Sequence, residues 1–457
     1  MRVLPITVVL SLLIVELLRT QDSARPRATH GPNIVVLFAD DAGYADFGFQ
    51  EHPDPKVGKL TPHIDRIAHE GVRFTDAYVS GCVCSPSRAG LMTGRYQQRF
   101  GHERNLPQRY MKGGMSLQEH TVADRLGELG LQTALIGKWH LGYPEAYHPN
   151  RRGFADFTGL LMGSRPYVPL PNPDADRVIQ HNGEALPESG YVTDRFGGFA
   201  VDWIEKHKDE PFFLFVSFTA VHGPLQPLDE DLETLDGFAQ QRRRNYAGLM
   251  VGLDRAVGRV LDALDRNHLT ENTLVVFTND NGGQTLTGAV NRPLRGRKGQ
   301  LWEGGIRVPM AMRWPGHITP GLTIRDPVIT LDLLPTFVAV QGGKVDPQWK
   351  LDGVDLLPRI TGQLDRLPER TLFWRSQGSK GPIAARRGDL KLLVGRSAEA
   401  STDENAAEAA QPQLFDLAHD IGETTDVAAQ HLDKLASILT ETIAWESELI
   451  EPLWGGD

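Results

Sequence analysis

Cysteine is almost missing from this sequence: two residues, Cys82 and Cys84, in 457 positions. One residue apart, they would close almost no loop, and an i, i+2 bridge is geometrically awkward, so no disulfide framework is expected. Surplus positive charge is missing too. A formal net charge of −10 argues against a general nucleic-acid binder, although a local basic pocket can sit in an acidic protein. Long apolar runs are confined to the start, where Arg2, an apolar stretch over 3–15, then Glu16 and Arg19 read as a secretory signal. That stretch is short for a span of about 20 residues, and no small-x-small cleavage site follows it, which leaves an uncleaved anchor open. We expect a signal peptide and lead-in over 1–25, a secreted or periplasmic protein and no membrane span in the mature chain.

What is present is a rhyme. Apolar strands are expected at Asn33 to Ala39, Thr133 to Ile136, Phe212 to Phe218 and Thr273 to Phe277, with helices between them. Each strand runs into a polar cluster: Asp40 and Asp41; Lys138 and His140; His222; Asp280 and Asn281. Alternating strands and helices imply an α/β fold with a doubly wound, mostly parallel sheet. Ligands of such sheets bind outside the carboxyl ends of the strands, so four weak clusters converge on one site. A basic loop, Arg292 to Gly299 with Lys298, follows. A helix is expected from a Ser116–Glu119 capping box to Leu129. From about Pro368 short strands and a terminal amphipathic helix suggest a smaller α+β unit, with a loose loop over 398–411. The chain is too long for one ordinary core, and we divide it into a catalytic α/β domain over 26–365 and a C-terminal subdomain over 366–457.

The most informative stretch is Cys84 to Gly94, Cys-Ser-Pro-Ser-Arg-Ala-Gly-Leu-Met-Thr-Gly. A strand over Val72 to Val79 runs into it, and Pro86 suits the first turn of a helix, with Ser85 as N-cap. Cys84 then sits at a helix N-terminus, where unpaired N–H groups favour an anion, and Arg88 brings a forked cation to the same place.

The pattern Cys-x-Pro-Ser-Arg-x-x-x-Thr-Gly resembles the signature of the formylglycine-dependent sulfatases, on the alkaline phosphatase-like scaffold. The likeness extends over most of the chain: the paired acids, Gly-Lys-Trp-His-Leu-Gly at 137–142, the His-Gly-Pro turn at His222, Asn-Asp-Asn-Gly-Gly at 279–283, the Arg-Lys-Gly loop at 297–299 and Leu-Phe-Asp-Leu at 414–417. It implies a sulfuric ester hydrolase acting on a sulfated carbohydrate, from a glycosaminoglycan or an algal polysaccharide. Cys84 would be converted to formylglycine (3-oxoalanine) by a formylglycine-generating enzyme, and its hydrate would attack sulfur. Asp40, Asp41, Asp280 and Asn281, with the modified Cys84 close by, would bind a divalent cation; oxygen ligands suit Ca²⁺ or Mg²⁺, and the family implies Ca²⁺. Arg88, Lys138 and Lys298 would neutralise sulfate oxygens and Asp280 take the nucleophile's proton. His222, with Lys298, would protonate the leaving alcohol, and His140 would drive sulfate release. Val-His-Gly-Pro at His222 departs from the Pro-His-x-Pro of many relatives. His102, Glu103 and Arg104, close behind the signature, are candidate substrate contacts, as is the excursion from Arg165 to His181. Two other readings stay open: a phosphodiesterase or phosphonate monoester hydrolase on the same scaffold, and a non-catalytic binder of sulfated glycans.

Overall fold

The computed structural model describes residues 31–395 and 411–455. The signal and lead-in over 1–25, and all but the last residue of the expected loop 398–411, lie outside the described residues. In chain order the strands are β1 (Asn33–Ala39), β2 (Val72–Phe74), β3 (Ala77–Tyr78), β4 (Gln132–Lys138), β5 (Asp156–Leu160), β6 (Gln180–His181), β7 (Glu184–Ala185), β8 (Phe212–Ser217), β9 (Thr273–Asn279), β10 (Met310–Arg313), β11 (Leu322–Ile324), β12 (Val328–Ile329), β13 (Thr371–Arg375), β14 (Ile383–Arg387), β15 (Leu390–Val394) and β16 (Gln413–Asp416).

Ten of them form one sheet in the order β11-β2-β10-β9-β1-β8-β4-β5-β6-β7. Its centre, β9-β1-β8-β4-β5, is parallel. β1, β8 and β9 are buried at every residue, which is why they read as unbroken apolar runs rather than alternating ones. Antiparallel β10 joins β9 to β2 on one side, and β6 and β7 continue antiparallel on the other. Helices α1 (Pro62–His69), α2 (Cys84–Thr93), α3 (Val122–Glu128), α4 (Val192–His207), α5 (Gln241–Arg266) and α6 (Leu333–Val340) flank the sheet. A four-stranded antiparallel sheet, β13-β14-β15-β16, carries α7 (Leu432–Glu446).

Register decides where the chemistry goes. Phe38 of β1 pairs with Ser217 of β8 and Thr278 of β9, and Gly137 of β4 pairs with Ser217. Asp40, Lys138, Ser217 and Asp280 therefore reach the same end of the sheet at the same level. Gly137 is required there: its φ is +112°, and a Cβ would lie 1.9 Å from the Ser217 carbonyl oxygen.

Three local expectations are corrected. The strand over Val72 to Val79 breaks into β2 and β3, because Thr75 hydrogen-bonds Asp76 at 2.6 Å and Asp76 turns to Arg307 and Arg386. The helix after the signature starts at Val122, capped by a Thr121–Asp124 box. Ser116 and Glu119 instead form a turn, with Glu119 held by Arg95. Val83, not Ser85, is the N-cap of α2, which places Cys84 in the first helical position.

The small sheet shares its apolar packing with the signature region. Trp374, Leu392, Phe415 and Trp445 cluster with Tyr78, Cys82, Tyr96 and Leu301. A buried ionic knot crosses the same boundary, where Lys391 of β15 lies 2.9 Å from Glu303 and 2.7 Å from Glu423, all three side chains inaccessible or nearly so.

Candidate active site

At the carboxyl end of β1, Asp40 is buried beside Lys138 Nζ at 2.5 Å and Cys84 Sγ at 3.7 Å. Asp41, in the left-handed region at φ 63°, accepts from Lys298 Nζ at 2.6 Å and from Asn281 Nδ2 at 2.8 Å. From α2, Arg88 donates through Nε and Nη2 to Asp280 Oδ2 at 3.1 and 2.9 Å and through Nη1 to Ser217 Oγ at 2.6 Å. Lys298 Nζ also reaches Cys84 Sγ at 3.1 Å. His222 turns Nδ1 to the Gly223 carbonyl at 2.7 Å and points Nε2 at Asp41, 3.6 Å away. The nine core residues expected from the sequence, Asp40, Asp41, Cys84, Arg88, Lys138, His222, Asp280, Asn281 and Lys298, thus meet at one place.

His140 belongs to the same place but is held differently. Its backbone is left-handed at φ 62°, and its carbonyl accepts from Ser85 Oγ at 2.8 Å. Ser85 in turn meets His102 Nε2 at 2.6 Å. Since the single Ser85 hydroxyl proton goes to the carbonyl, His102 must donate. Gly163 closes against the imidazole: a Cβ there would sit 2.5 Å from Nε2. His140 Nδ1 has no protein partner.

Electrostatics sort these groups. Burial, then Asp280, raises the Asp40 carboxyl above its ordinary range. Burial pushes Asp41 and Asp280 the same way, but Lys298 and His222 overcome it at Asp41, and Arg88, Lys138 and Lys298 at Asp280, so both are lowered. Burial, then Asp280, pushes the Cys84 thiol up to about 12. Burial lowers His140 well below a free histidine, helped by Lys138, Arg88 and Lys298, so the ring is neutral near pH 7.

The residues fit a hard divalent cation. One ligand atom from each of Asp40, Asp41, Cys84 and His222 lies within 4.8 Å of the others. Asp280 Oδ1 accepts from the Asp41 N–H at 3.3 Å. Asn281 Oδ1 is buried with no hydrogen-bond partner, an acceptor left for something positive. Three carboxylates and an amide oxygen are the donor set of Ca²⁺ or Mg²⁺.

A family model described as Sulfatase matches residues 32–343. Human arylsulfatase A is 34% identical over 435 residues, covering 86% of this chain and 82% of its own. This chain belongs to the sulfatase family. Dog N-acetylgalactosamine-6-sulfatase is 32% identical, over 76% of this chain and 69% of its own. Among solved sulfatase folds, Ps i-CgsB in complex with k-i-k-neocarrahexaose superposes with a TM-score of 0.85 at 35% identity, over 93% of this chain and 95% of that one. Phosphonate monoester hydrolase of Agrobacterium radiobacter shares the fold alone, with a TM-score of 0.62 at 19% identity over 91% and 96% of the two chains. Sulfatases generally use a formylglycine and a divalent metal, and Asp40, Asp41, Cys84 and His222 form a candidate metal site in this one.

The proposed substrate contacts behind the signature are corrected in part. His102 has no exposed surface and packs edge-on against Trp454 at 4.6 Å; it reaches His140 only through Ser85 and the His140 carbonyl. Glu103 is buried in an ion pair with Arg375 of β13 and accepts from the Gly378 N–H at 2.9 Å, so it ties the small sheet down. Arg104 is half-buried, its guanidinium 3.5 Å from the Gln377 carbonyl. Ser217, Ser85 and Gly163 were not among the sequence candidates. Ser217 carried a usable signal, as the first polar residue ending the most apolar strand; the other two are visible only through contacts distant in sequence.

Proposed function

We propose that this sulfatase removes sulfate from a sulfated carbohydrate, with Cys84 as its converted nucleophilic residue and Ca²⁺ as its cation. The observation that carries the reading is Cys84 in the first turn of α2, with Lys298 Nζ at 3.1 Å and Asp40 Oδ1 at 3.7 Å. The relatives support the substrate class: an arylsulfatase, a sulfatase of N-acetylgalactosamine, and a fold neighbour holding a carrageenan oligosaccharide.

Asp40, Asp41, Asp280 and Asn281 would hold the cation, which when bound supplies positive charge to the sulfate oxygens and the nucleophile. Formylglycine would be installed at Cys84 by a formylglycine-generating enzyme. Around that centre the chain's own residues divide the work. Arg88, Lys138 and Lys298 aim fixed positive charge at the place where sulfate oxygens gain charge. Of the site's ionisable side chains His222 is the most open, at 27% exposed against 11% for Lys298 and 2% or less for Arg88, Lys138, Asp40 and Asp41. The leaving alcohol therefore lies on the His222 side, where Nε2 can give it a proton. His140, neutral and with Nδ1 unpartnered, is the proton acceptor on the enclosed side. Asp280 anchors Arg88 through Oδ2 at 2.9 and 3.1 Å and would take the nucleophile's proton.

We place the catalytic domain at 26–365 and the C-terminal subdomain at 366–457, and the protein outside the cytoplasm on the strength of its first residues. The test is the mass of the tryptic peptide holding Cys84, from protein co-expressed with a formylglycine-generating enzyme, read beside sulfate and phosphate release from paired aryl esters. An aldehyde mass, with sulfate release that is lost in Cys84→Ala and on chelation, is the expected result. An unmodified thiol with phosphate release would hand the protein to the phosphoesterase reading.

A further inference from the structure

Within the excursion between β5 and β6, and closed on one side by Pro224 of the His222 loop, lies a cavity of about 350 Å³, lined among others by Ser164, Leu170, Asn172, Asp174 and Arg177. We propose that it receives the sugar ring whose oxygen leaves, and that it recognises that ring by its hydroxyls rather than by a second anionic group. The proposal rests on the sulfatase reading above and adds where the alcohol side of the substrate binds.

Its position comes first. Ser164 follows Gly163, which abuts the His140 imidazole. Pro224 comes two residues after His222, and Tyr167, fully buried, donates or shares its hydroxyl with the carbonyls of His222 and Thr219 at 2.8 and 2.9 Å. The cavity wall and the proton-bearing loops are therefore one piece of structure. A ring in this space would rest against Pro224, two residues along the chain from His222, the most open of the site's ionisable side chains.

Next, the wall is built. Arg165 has no exposed side-chain surface. It pairs with Glu188 at 2.6 Å and donates to the Arg177 carbonyl at 2.9 Å, and Met162 N–H bonds the Asp176 carbonyl at 2.9 Å. These cross-links fix a segment that has no regular secondary structure between β5 and β6, so the cavity exists before a ligand arrives.

Last, its chemistry is that of a polyol site. Arg177 pairs with Asp174 at 2.8 Å, and Arg109 reaches the same carboxylate at 2.6 Å. Arg165 is matched by Glu188. The cations that line the cavity are already paired, which leaves little for a second sulfate. A carboxylate, a guanidinium, an amide and a hydroxyl together offer the mixed donors and acceptors that sugar hydroxyls need. Leu170 and the prolines offer apolar contact to the C–H face. The volume falls at the low end of ligand clefts, about 300–1,000 Å³, which suits one or two rings.

The experiment compares kcat/KM for para-nitrophenyl sulfate and for a monosulfated neocarrabiose, in wild type, in the double variant Asn172→Ala, Arg177→Ala, and in Ser164→Trp, which fills the space. Both variants should lower the sugar-to-aryl ratio by about tenfold or more, through KM on the sugar, since several hydroxyl bonds are lost. Tm is read alongside to show that they fold. A ratio within about twofold of wild type, or an equal fall on both substrates, overturns the subsite. Turnover of the aryl ester by wild type, with no turnover of sulfated sugars at all, overturns it while leaving the sulfatase reading intact. Activity on neither ester removes both.

Discussion

Lys138 Nζ lies 2.5 Å from Asp40 Oδ2, with neither side chain exposed. The next cation for that carboxylate is Arg88, 3.8 Å away and already committed to Asp280. Lys138→Met should therefore cost about 3–5 kcal/mol, the usual result of stripping a buried charge of its partner. A divalent cation held by Asp40 would replace part of that charge, so adding Ca²⁺ should raise the Tm of Lys138→Met more than that of wild type. Equal shifts would mean that Asp40 does not meet the cation.

Gly163 leaves no room beside His140. A methyl group 2.5 Å from the imidazole Nε2 must push the ring aside, and displacement of a reacting group by about 1 Å can cost a hundredfold in rate. Gly163→Ala should lower kcat by about that factor while destabilising the fold by only about 1–3 kcal/mol, as overpacking does. Steady-state kinetics with a parallel melt checks both.

His102 sets an acid limit. Burial lowers its pKa to about 3, below the ordinary 6.5 that it regains on unfolding. Between those values the unfolded chain binds a proton that the folded chain refuses, so stability rises with pH through this window and is flat above it. It is lost again as pH falls, by about 1.4 kcal/mol per unit at most. His102→Gln removes the titration, and its Tm should vary less between pH 4.5 and 7 than that of wild type, whatever the absolute value.

Lys391 holds Glu303 and Glu423 together inside the boundary between the two sheets. Glu423 also accepts from the Glu303 N–H at 2.7 Å, and its carbonyl accepts from Arg295, three residues before Lys298. Lys391→Met should cost about 3–5 kcal/mol and also lower kcat, because the Lys298 loop loses its brace. Glu303 keeps Arg307 at 3.2 Å, so adding Glu423→Gln removes the charge that Lys391→Met leaves uncompensated and should restore part of the stability. Denaturant melts of the single and double variants give the answer.

The parts of this molecule that could be read from the chain are those with local grammar. β1, β8 and β9 are buried at every position, so their apolar runs announced them, and the polar residues just beyond them announced the site. Contacts between distant segments have no such grammar. Nothing near Ser85 says that its hydroxyl will bridge His102 and the His140 carbonyl rather than cap a helix. Nothing near Glu103 says that Arg375, far along the chain, will claim it, and so a residue taken for a substrate contact turned out to be a tie. Ser116 and Glu119 had the spacing of a capping box, but Thr121 and Asp124 had it too, and Arg95 decided between them by pairing with Glu119.

The burial of Cys84, at 2% exposure and with a thiol that stays protonated, also imposes an order of manufacture. Once α2 has docked, its sulfur is closed in by Asp40, Lys298 and the sheet end, beyond the reach of any second protein. Whatever chemistry is to be done on that side chain must be finished while the signature is still an open strand of polypeptide. Under the proposed conversion of Cys84, a molecule that folded first would keep its thiol, and a later encounter with a formylglycine-generating enzyme would not complete it.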